Sequence, residues 1–321
     1  MTSLIATVLD EKDGLMSWLE SILSQTLLPD EIVIVDGGSK DGTWEMLVEK
    51  SQQNNLMKVW QQPGNISIGR NTAIAKASGD MIVVTDAGCI YDAHWFKKIT
   101  EPILSGHSVF VATGFGPWCR EGDGLLVYLI ASASIPASAE FKRNWLPSSR
   151  SVAFKKEIWE KAGGYPEWIP LCEDVVFDLK ILKLGIKPAY IREPLVFWRP
   201  RTTVKTYFRQ LFGYTRSDGH GKLWFHRQIT RYAYYLLNIL LLLLSVAISP
   251  WFLVIIPLLL AGHMRKFWKR WAVFSIDLPL LKKITGFICM PFIVIFGDIA
   301  KMCGWPVGVY ERFTSQIKSE Q

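Results

Sequence analysis

Six acidic residues stand where a folded chain could use them for chemistry: Asp10-Glu11, Asp36, Asp86 and the pair Glu173-Asp174. Carboxylates can accept hydrogen bonds from hydroxyl and N–H groups, ligate a divalent cation, or take a proton in a transition state. Asp36 opens the string DGGSKDGT (36–43) after the apolar run EIVIV. Gly37 and Gly38 permit a tight turn and close approach of a ligand, and Ser39 and Asp41 can cap the helix that follows. By itself this string is equally a capped strand-to-helix turn. Asp10-Glu11 follows another strand-like run, SLIATVL. Two strand ends presenting carboxylates suit the ribose hydroxyls and base N–H groups of a nucleotide. Arg70 could pair with a diphosphate or brace an acidic side chain. Asp86, after the run MIVVT, could ligate a cation bridging phosphates. Glu173 and Asp174 open the helical pattern EDVVFDLKILKLG. They are candidates for a general base, or simply acids favoured by a helix N-terminus. Arg216, in an amphipathic segment, could close over phosphates, lie on lipid headgroups, or do both.

The elements that must position these groups follow from hydrophobic periodicity. Strands are expected at 3–9, 31–35, 58–61 and 81–85, with helices at 14–25, 43–50 and 70–77. This alternation predicts an α/β fold, a mainly parallel twisted sheet with helices on both faces, whose ligands gather at the carboxyl ends of the strands. Asp10, Asp36 and Asp86 all fall there. Further strands are expected at 150–154, 190–192 and 195–198, a loop at 114–124, and a helix at 173–184 closed by Gly185. Asp92 reads as a helix N-cap, with a supporting metal contact as its alternative.

Charge and hydropathy divide the chain. Residues 1–200 carry 20 Lys/Arg against 24 Asp/Glu, and residues 201–321 carry 16 against 5. The basic part also holds the longest apolar run, 31 residues without a charge at 232–262. A single span needs about 20 residues, so a break at Ser249-Pro250 is expected, giving a hairpin with short arms. Arg227 and Arg231 before it and Arg265, Lys266, Lys269 and Arg270 after it place both ends on the cytosolic side. A third apolar segment, 284–299, is interrupted by Pro291 and Asp298 and is either membrane-embedded or interfacial. The basic charge therefore points to anionic lipid and not to nucleic acid. Five cysteines without a CxxC pair exclude a disulfide scaffold or a structural zinc site. With no signal peptide at its start, the first domain is expected to stay in the cytosol. The expected organisation is a catalytic domain over 1–220 and a membrane-associated region over 221–321, a multi-pass cell-membrane protein.

Taken together these strings resemble family 2 glycosyltransferases, over most of 1–220 and in the same order. Asp10-Glu11 stands for the family's pair at the end of the first strand. Asp36, Ser39, Asp41 and Thr43 match its D-x-S-x-D-x-T pattern with one extra glycine, and Gly69, Arg70 and Asn71 its Gly-Arg-Asn helix. The metal motif D-x-D reads Asp86-Ala87-Gly88, without the second carboxylate. The resemblance implies a GT-A fold and inverting transfer of a sugar from a nucleotide-sugar donor to a lipid or saccharide acceptor. It further implies Asp174 as base with Glu173 orienting it. Asp10, Glu11, Asp36, Ser39, Arg70 and Arg216 would bind the donor, and Asp86 would hold Mg2+ or Mn2+. Contacts setting sugar specificity are expected in 114–145. Three alternatives remain: a polyprenyl-phosphate glycosyltransferase, a non-catalytic nucleotide-sugar-binding membrane subunit, and a transport protein.

Overall fold

The computed structural model of the chain describes residues 1–137, 140 and 146–314. The chain divides into two compact units, Met1–Trp118 with Pro136–Arg199, and Cys119–Ile135 with Pro200–Gln321.

The first unit is built on eight strands: β1 (Thr2–Val8), β2 (Glu31–Asp36), β3 (Met57–Gln61), β4 (Met81–Asp86), β5 (Cys89–Tyr91), β6 (Phe110–Pro117), β7 (Ser151–Lys155) and β8 (Ala189–Trp198). They form one sheet in the order β3-β2-β1-β4-β7-β6-β8-β5. The first four are mutually parallel. β7 enters antiparallel to both β4 and β6, while β6 and β8 run parallel. Crossover helices α1 (Lys12–Leu23), α2 (Thr43–Gln53) and α3 (Ile66–Lys76) link the parallel strands, and α4 (Trp95–Leu104), α6 (Lys156–Lys161) and α7 (Glu173–Lys183) serve the mixed half. The continuous apolar runs of β1, β2 and β4 are explained by burial on both faces. Ile5, Val33, Val35 and Val84 pack with Ala73 and Ile74 of α3 and Phe177 and Ile181 of α7. The alternate residues Leu4, Ile32, Ile34 and Val83 are buried as well.

Two details correct or explain the sequence reading. The glycine-rich start of 114–124 is not a loop: Gly114–Pro117 completes β6 and pairs with β8 across a bulge. A Cβ at Gly114 would meet the carbonyls of Arg192 and Glu193 at 2.8 Å, so glycine there marks close backbone approach. At the end of α7, Gly185 (φ +79°) lets its own N–H reach Leu182 O at 3.0 Å and that of Ile186 reach Ile181 O at 3.3 Å, a Schellman closure.

The second unit is helical: α5 (Leu125–Ser134), α8 (Val204–His220), α9 (Phe225–Ala247), α10 (Ile255–Phe274) and α11 (Leu280–Thr314), with a short 3₁₀ turn at Pro250–Val254. Leu129 and Ile130 of α5, Tyr207 and Leu211 of α8, Phe267 and Trp271 of α10, and Met290 and Val294 of α11 share one core. The seam between α8 and α11 is made by small residues. A Cβ at Gly304 would strike the Phe212 carbonyl and one at Gly308 the Arg216 carbonyl, so the helices touch backbone to backbone.

α9 and α10 form the hairpin, with Tyr234 stacked on His263 at 4.7 Å. Its arms are longer than the charge-free run implied, 23 and 20 residues, because both helices continue through their arginine- and lysine-bearing flanks. The third segment is not interrupted either: α11 runs 35 residues through Pro291 and Pro306. Each proline removes the hydrogen bond to the carbonyl four residues earlier. Trp268 Nε1 donates to Phe287 O at 3.1 Å and Tyr232 Oη to Met302 O at 2.5 Å, so both freed carbonyls have donors from neighbouring helices. Asp298 likewise gathers Tyr235 Oη at 3.1 Å, His263 Nε2 at 2.9 Å and Lys301 Nζ at 3.1 Å. All three helices are long and apolar enough to cross a membrane, and the tip of the hairpin is exposed, Val246 at 85% and Trp251 at 80%. These are the surfaces of a membrane-associated protein.

Candidate active site

Strand register brings the sequence candidates of the first unit to one edge. Val8 of β1 pairs with Asp36 of β2, and Thr7 pairs with Asp86 of β4. Asp10, Asp36 and Asp86 therefore leave the sheet on the same side, at the carboxyl ends of parallel strands.

The Asp36–Thr43 turn is stitched from within. The Asp36 carboxylate, fully buried, accepts from the backbone N–H of Ser39 at 2.9 Å and of Gly38 at 3.3 Å. Gly38 and Gly42 hold positive φ (+98° and +96°), which keeps the turn tight. Asp10, itself left-handed (φ 52°), donates its N–H to Ser39 Oγ at 2.8 Å and accepts from Lys40 N at 2.8 Å. Glu11 N donates to Thr43 Oγ1 at 3.0 Å, and Lys12 N to Asp41 Oδ2 at 3.0 Å. These bonds hold the Asp41 carboxyl below the usual range, first through the Thr43 hydroxyl. Asp36 and Ser39, expected as donor contacts, make these bonds within the turn. Asp10 is exposed and Glu11 half-buried at the rim.

The second group of residues converges from distant segments. Arg70 of α3 and Glu173 of α7 form a buried ion pair, 3% and 5% exposed. Of the two roles expected for Arg70, the ion pair with an acidic side chain is the one seen here, and the Tyr165 ring lies 5.4 Å from its Cζ. Burial raises the Glu173 carboxyl against the pull of Arg70, and neighbouring Asp174 adds to the rise. Asp174, one residue on, stays half-exposed. Its Oδ1 accepts from Val175 N at 2.9 Å, and its Oδ2 lies 3.4 Å from both Ser149 N and Ser148 Oγ. One turn further, Asp178 is buried and its Oδ2 has no hydrogen-bond partner. Burial, then the charge of Asp174, pushes that carboxyl well up.

Ser148, Ser149 and Arg150 were missed by the sequence reading because they lie at an unremarkable strand entrance. β7 is antiparallel to β4 with Ser151 opposite Thr85, which sets Arg150 beside Asp86. Arg150 Nε lies 3.6 Å from Asp86 Oδ2, its NH1 donates to Ser148 Oγ at 2.9 Å, and its Cζ sits 4.1 Å from the centre of the Trp198 ring. Ser148 thus touches both Arg150 and Asp174 and joins the end of β4 to the start of α7.

Among the described residues no group of three or more His, Cys, Asp or Glu side chains is placed to hold a metal ion. Asp86 does have room beside it: a Cβ at Gly88 would meet only Asp86 Oδ1, at 3.7 Å. One carboxylate with open space suits a cation that keeps water and phosphate ligands, not an all-protein cage. Arg216 belongs to the second unit, where Glu311 takes its Nε and NH2 at 2.7 and 2.6 Å. Residues 138, 139 and 141–145, part of the stretch expected to set specificity, lie outside the described residues.

Residues 3–125 match the family described as Glycosyl transferase family 2. The O-antigen chain rhamnosyltransferase RfbN of Salmonella typhimurium is 25% identical over 60% of this chain and 65% of its own length. The succinoglycan biosynthesis protein ExoA of Rhizobium meliloti is 24% identical over 67% of this chain and 68% of its own length. Among solved structures, the mannosyltransferase PcManGT of Pyrobaculum calidifontis, in complex with GDP-Man and Mn2+, superposes with a TM-score of 0.53 at 15% identity. That superposition covers 99% of this chain and 88% of the other, and the shared fold is of the GT-A type.

Proposed function

We propose that this chain, whose residues 3–125 match the Glycosyl transferase family 2 model, is an inverting glycosyltransferase of the cell membrane. It transfers a sugar from a nucleotide-sugar donor to a lipid-linked or saccharide acceptor, with its catalytic unit on the cytosolic side. The observation that carries the reading is the pairing at the start of α7. A half-exposed Asp174 stands beside a Glu173 that Arg70 holds in place, and Asp174 connects through Ser148 and Arg150 to the strand end bearing Asp86. RfbN and ExoA, by their names, act in O-antigen and succinoglycan assembly, which supports a glycan acceptor made at the cell envelope.

In this mechanism the acceptor hydroxyl gives its proton to Asp174 as its oxygen bonds to the anomeric carbon. The bond from that carbon to the diphosphate oxygen breaks on the opposite face, and its electron pair stays with the leaving diphosphate. Glu173, fixed by Arg70, positions Asp174 by fixing the first turn of α7. Asp10 and Glu11 face the nucleoside at the rim, and the Asp36–Ser39 turn holds that rim in shape. Asp86 is the residue to hold Mg2+ or Mn2+, which when bound supplies positive charge to the diphosphate.

Asp174→Asn tests the reading because it keeps the shape of the side chain but cannot take the proton. Nucleoside-diphosphate affinity should be unchanged while kcat falls by about 10²–10⁴, the usual contribution of a positioned base. A folded variant that binds donor and turns over near the wild-type rate would overturn the base. It would leave an acceptor that is already ionised, such as a polyprenyl phosphate.

A further inference from the structure

We infer that Arg150 is a direct ligand of the donor's diphosphate, so that the chain carries its own counter-charge where its metal motif is incomplete. The inference rests on the donor-site reading above and adds a residue that no sequence motif marks. Three observations support it.

The first is position. Arg150 stands opposite the end of β4 in the antiparallel register, at the edge where Asp86 and the other strand-end carboxylates emerge. The second is how the side chain is held. The guanidinium lies over the Trp198 ring at 4.1 Å and donates to Ser148 Oγ at 2.9 Å. Its orientation is thereby set before any ligand arrives, and 21% of the side chain remains exposed. Its Nε stands 3.6 Å from Asp86 Oδ2, an ion pair longer than a hydrogen bond.

The third is charge balance. With glycine at position 88, the site offers a divalent cation one carboxylate, and a guanidinium already stands against that carboxylate. At Asp86 itself the guanidinium offsets the carboxylate, which weakens the pull on a cation there. It leaves the pull on a diphosphate, whose oxygens match the planar donors of an arginine. Ser148 also contacts Asp174 at 3.4 Å, so the same backbone turn places the charge on the leaving group and a polar contact on the base. A cation at Asp86 and the guanidinium of Arg150 can share the diphosphate, with Arg150 carrying the part that survives removal of the metal.

The experiment is calorimetric titration of the purified full chain with UDP, GDP and dTDP, each in EDTA and in Mn2+. The wild-type protein should bind one of these nucleotides in EDTA, with a loss of about tenfold or less relative to Mn2+. Arg150→Met should weaken binding in EDTA by about ten- to a hundredfold, the range for loss of a charge-assisted contact, and Arg150→Lys should recover part of it. Melting temperatures within a few degrees of wild type would show that both variants are folded; if Arg150→Met is not, the Arg150→Lys and wild-type comparison in EDTA carries the test. Wild-type binding that vanishes in EDTA, or an Arg150→Met affinity in EDTA equal to wild type, overturns the inference while leaving the donor site standing. Absence of binding by every nucleotide in both conditions removes the donor site itself, and the inference with it.

Discussion

Replacing Arg70 by methionine should unfold the catalytic unit more readily without first touching the donor. The reason is the environment of its partner: Glu173 is 5% exposed and takes its counter-charge from an arginine that is itself 3% exposed. Removing one member of such a pair leaves a desolvated charge and costs about 3–5 kcal/mol. For a unit of this size each kcal/mol moves the melting temperature by roughly 2–4 °C, so a fall of roughly 6–20 °C is expected. The loss should depend on pH. The Glu173 carboxyl is already raised by burial, against the pull of Arg70, and loses that pull in the variant. A carboxyl whose folded pKa exceeds its unfolded value favours the fold fully below the unfolded pKa, and loses that contribution as pH climbs through the folded one. The deficit relative to wild type should therefore shrink as pH falls towards the ordinary carboxylate range. Thermal melts of the detergent-solubilised protein measure this, with Arg70→Met/Glu173→Leu as control, which should regain much of the loss because no charge is stranded. An Arg70→Met protein melting within about 2 °C of wild type at every pH, with nucleotide affinity collapsed, would refute the reasoning and put Arg70 in the donor site.

The membrane unit gives two further tests. Tyr232→Phe strands the Met302 carbonyl that Pro306 frees, and Trp268→Phe does the same at Phe287, so each should cost about 1–3 kcal/mol and lower the melting temperature without changing nucleotide affinity. Unchanged melting in both would show that α11 needs neither donor. For topology, single cysteines at Lys40 and at Lys269, in a background lacking the five native cysteines, should both resist an impermeant thiol reagent in sealed right-side-out cells. Labelling at Lys269 alone would make the hairpin a single crossing.

What the sequence determined by itself is local. Buried parallel strands read as unbroken apolar runs, so β1, β2 and β4 were visible with an acid just past each end. Glycines with positive φ leave no choice about the Asp36–Thr43 turn. A run of 31 uncharged residues has few places to go but lipid. Composition and spacing are enough for these because the physics acts over a few residues. The tertiary structure decided what depends on partners far along the chain. Arg70 meets Glu173 across 103 positions, a buried pairing that no local pattern announces. The Asp36 oxygens take the N–H groups of Gly38 and Ser39 inside their own turn, which only the folded backbone reveals. Gly114–Pro117 looked like a loop because glycine weakens strand propensity, yet the close approach of β8 requires it. Pro291 looked like a break, but a proline ends a helix only where the carbonyl it frees goes unanswered, and Trp268 answers it from another helix. Arg150 had no local signature, since its meaning comes from the antiparallel entry of β7 beside Asp86. That register is set by the whole sheet and by no single stretch of sequence.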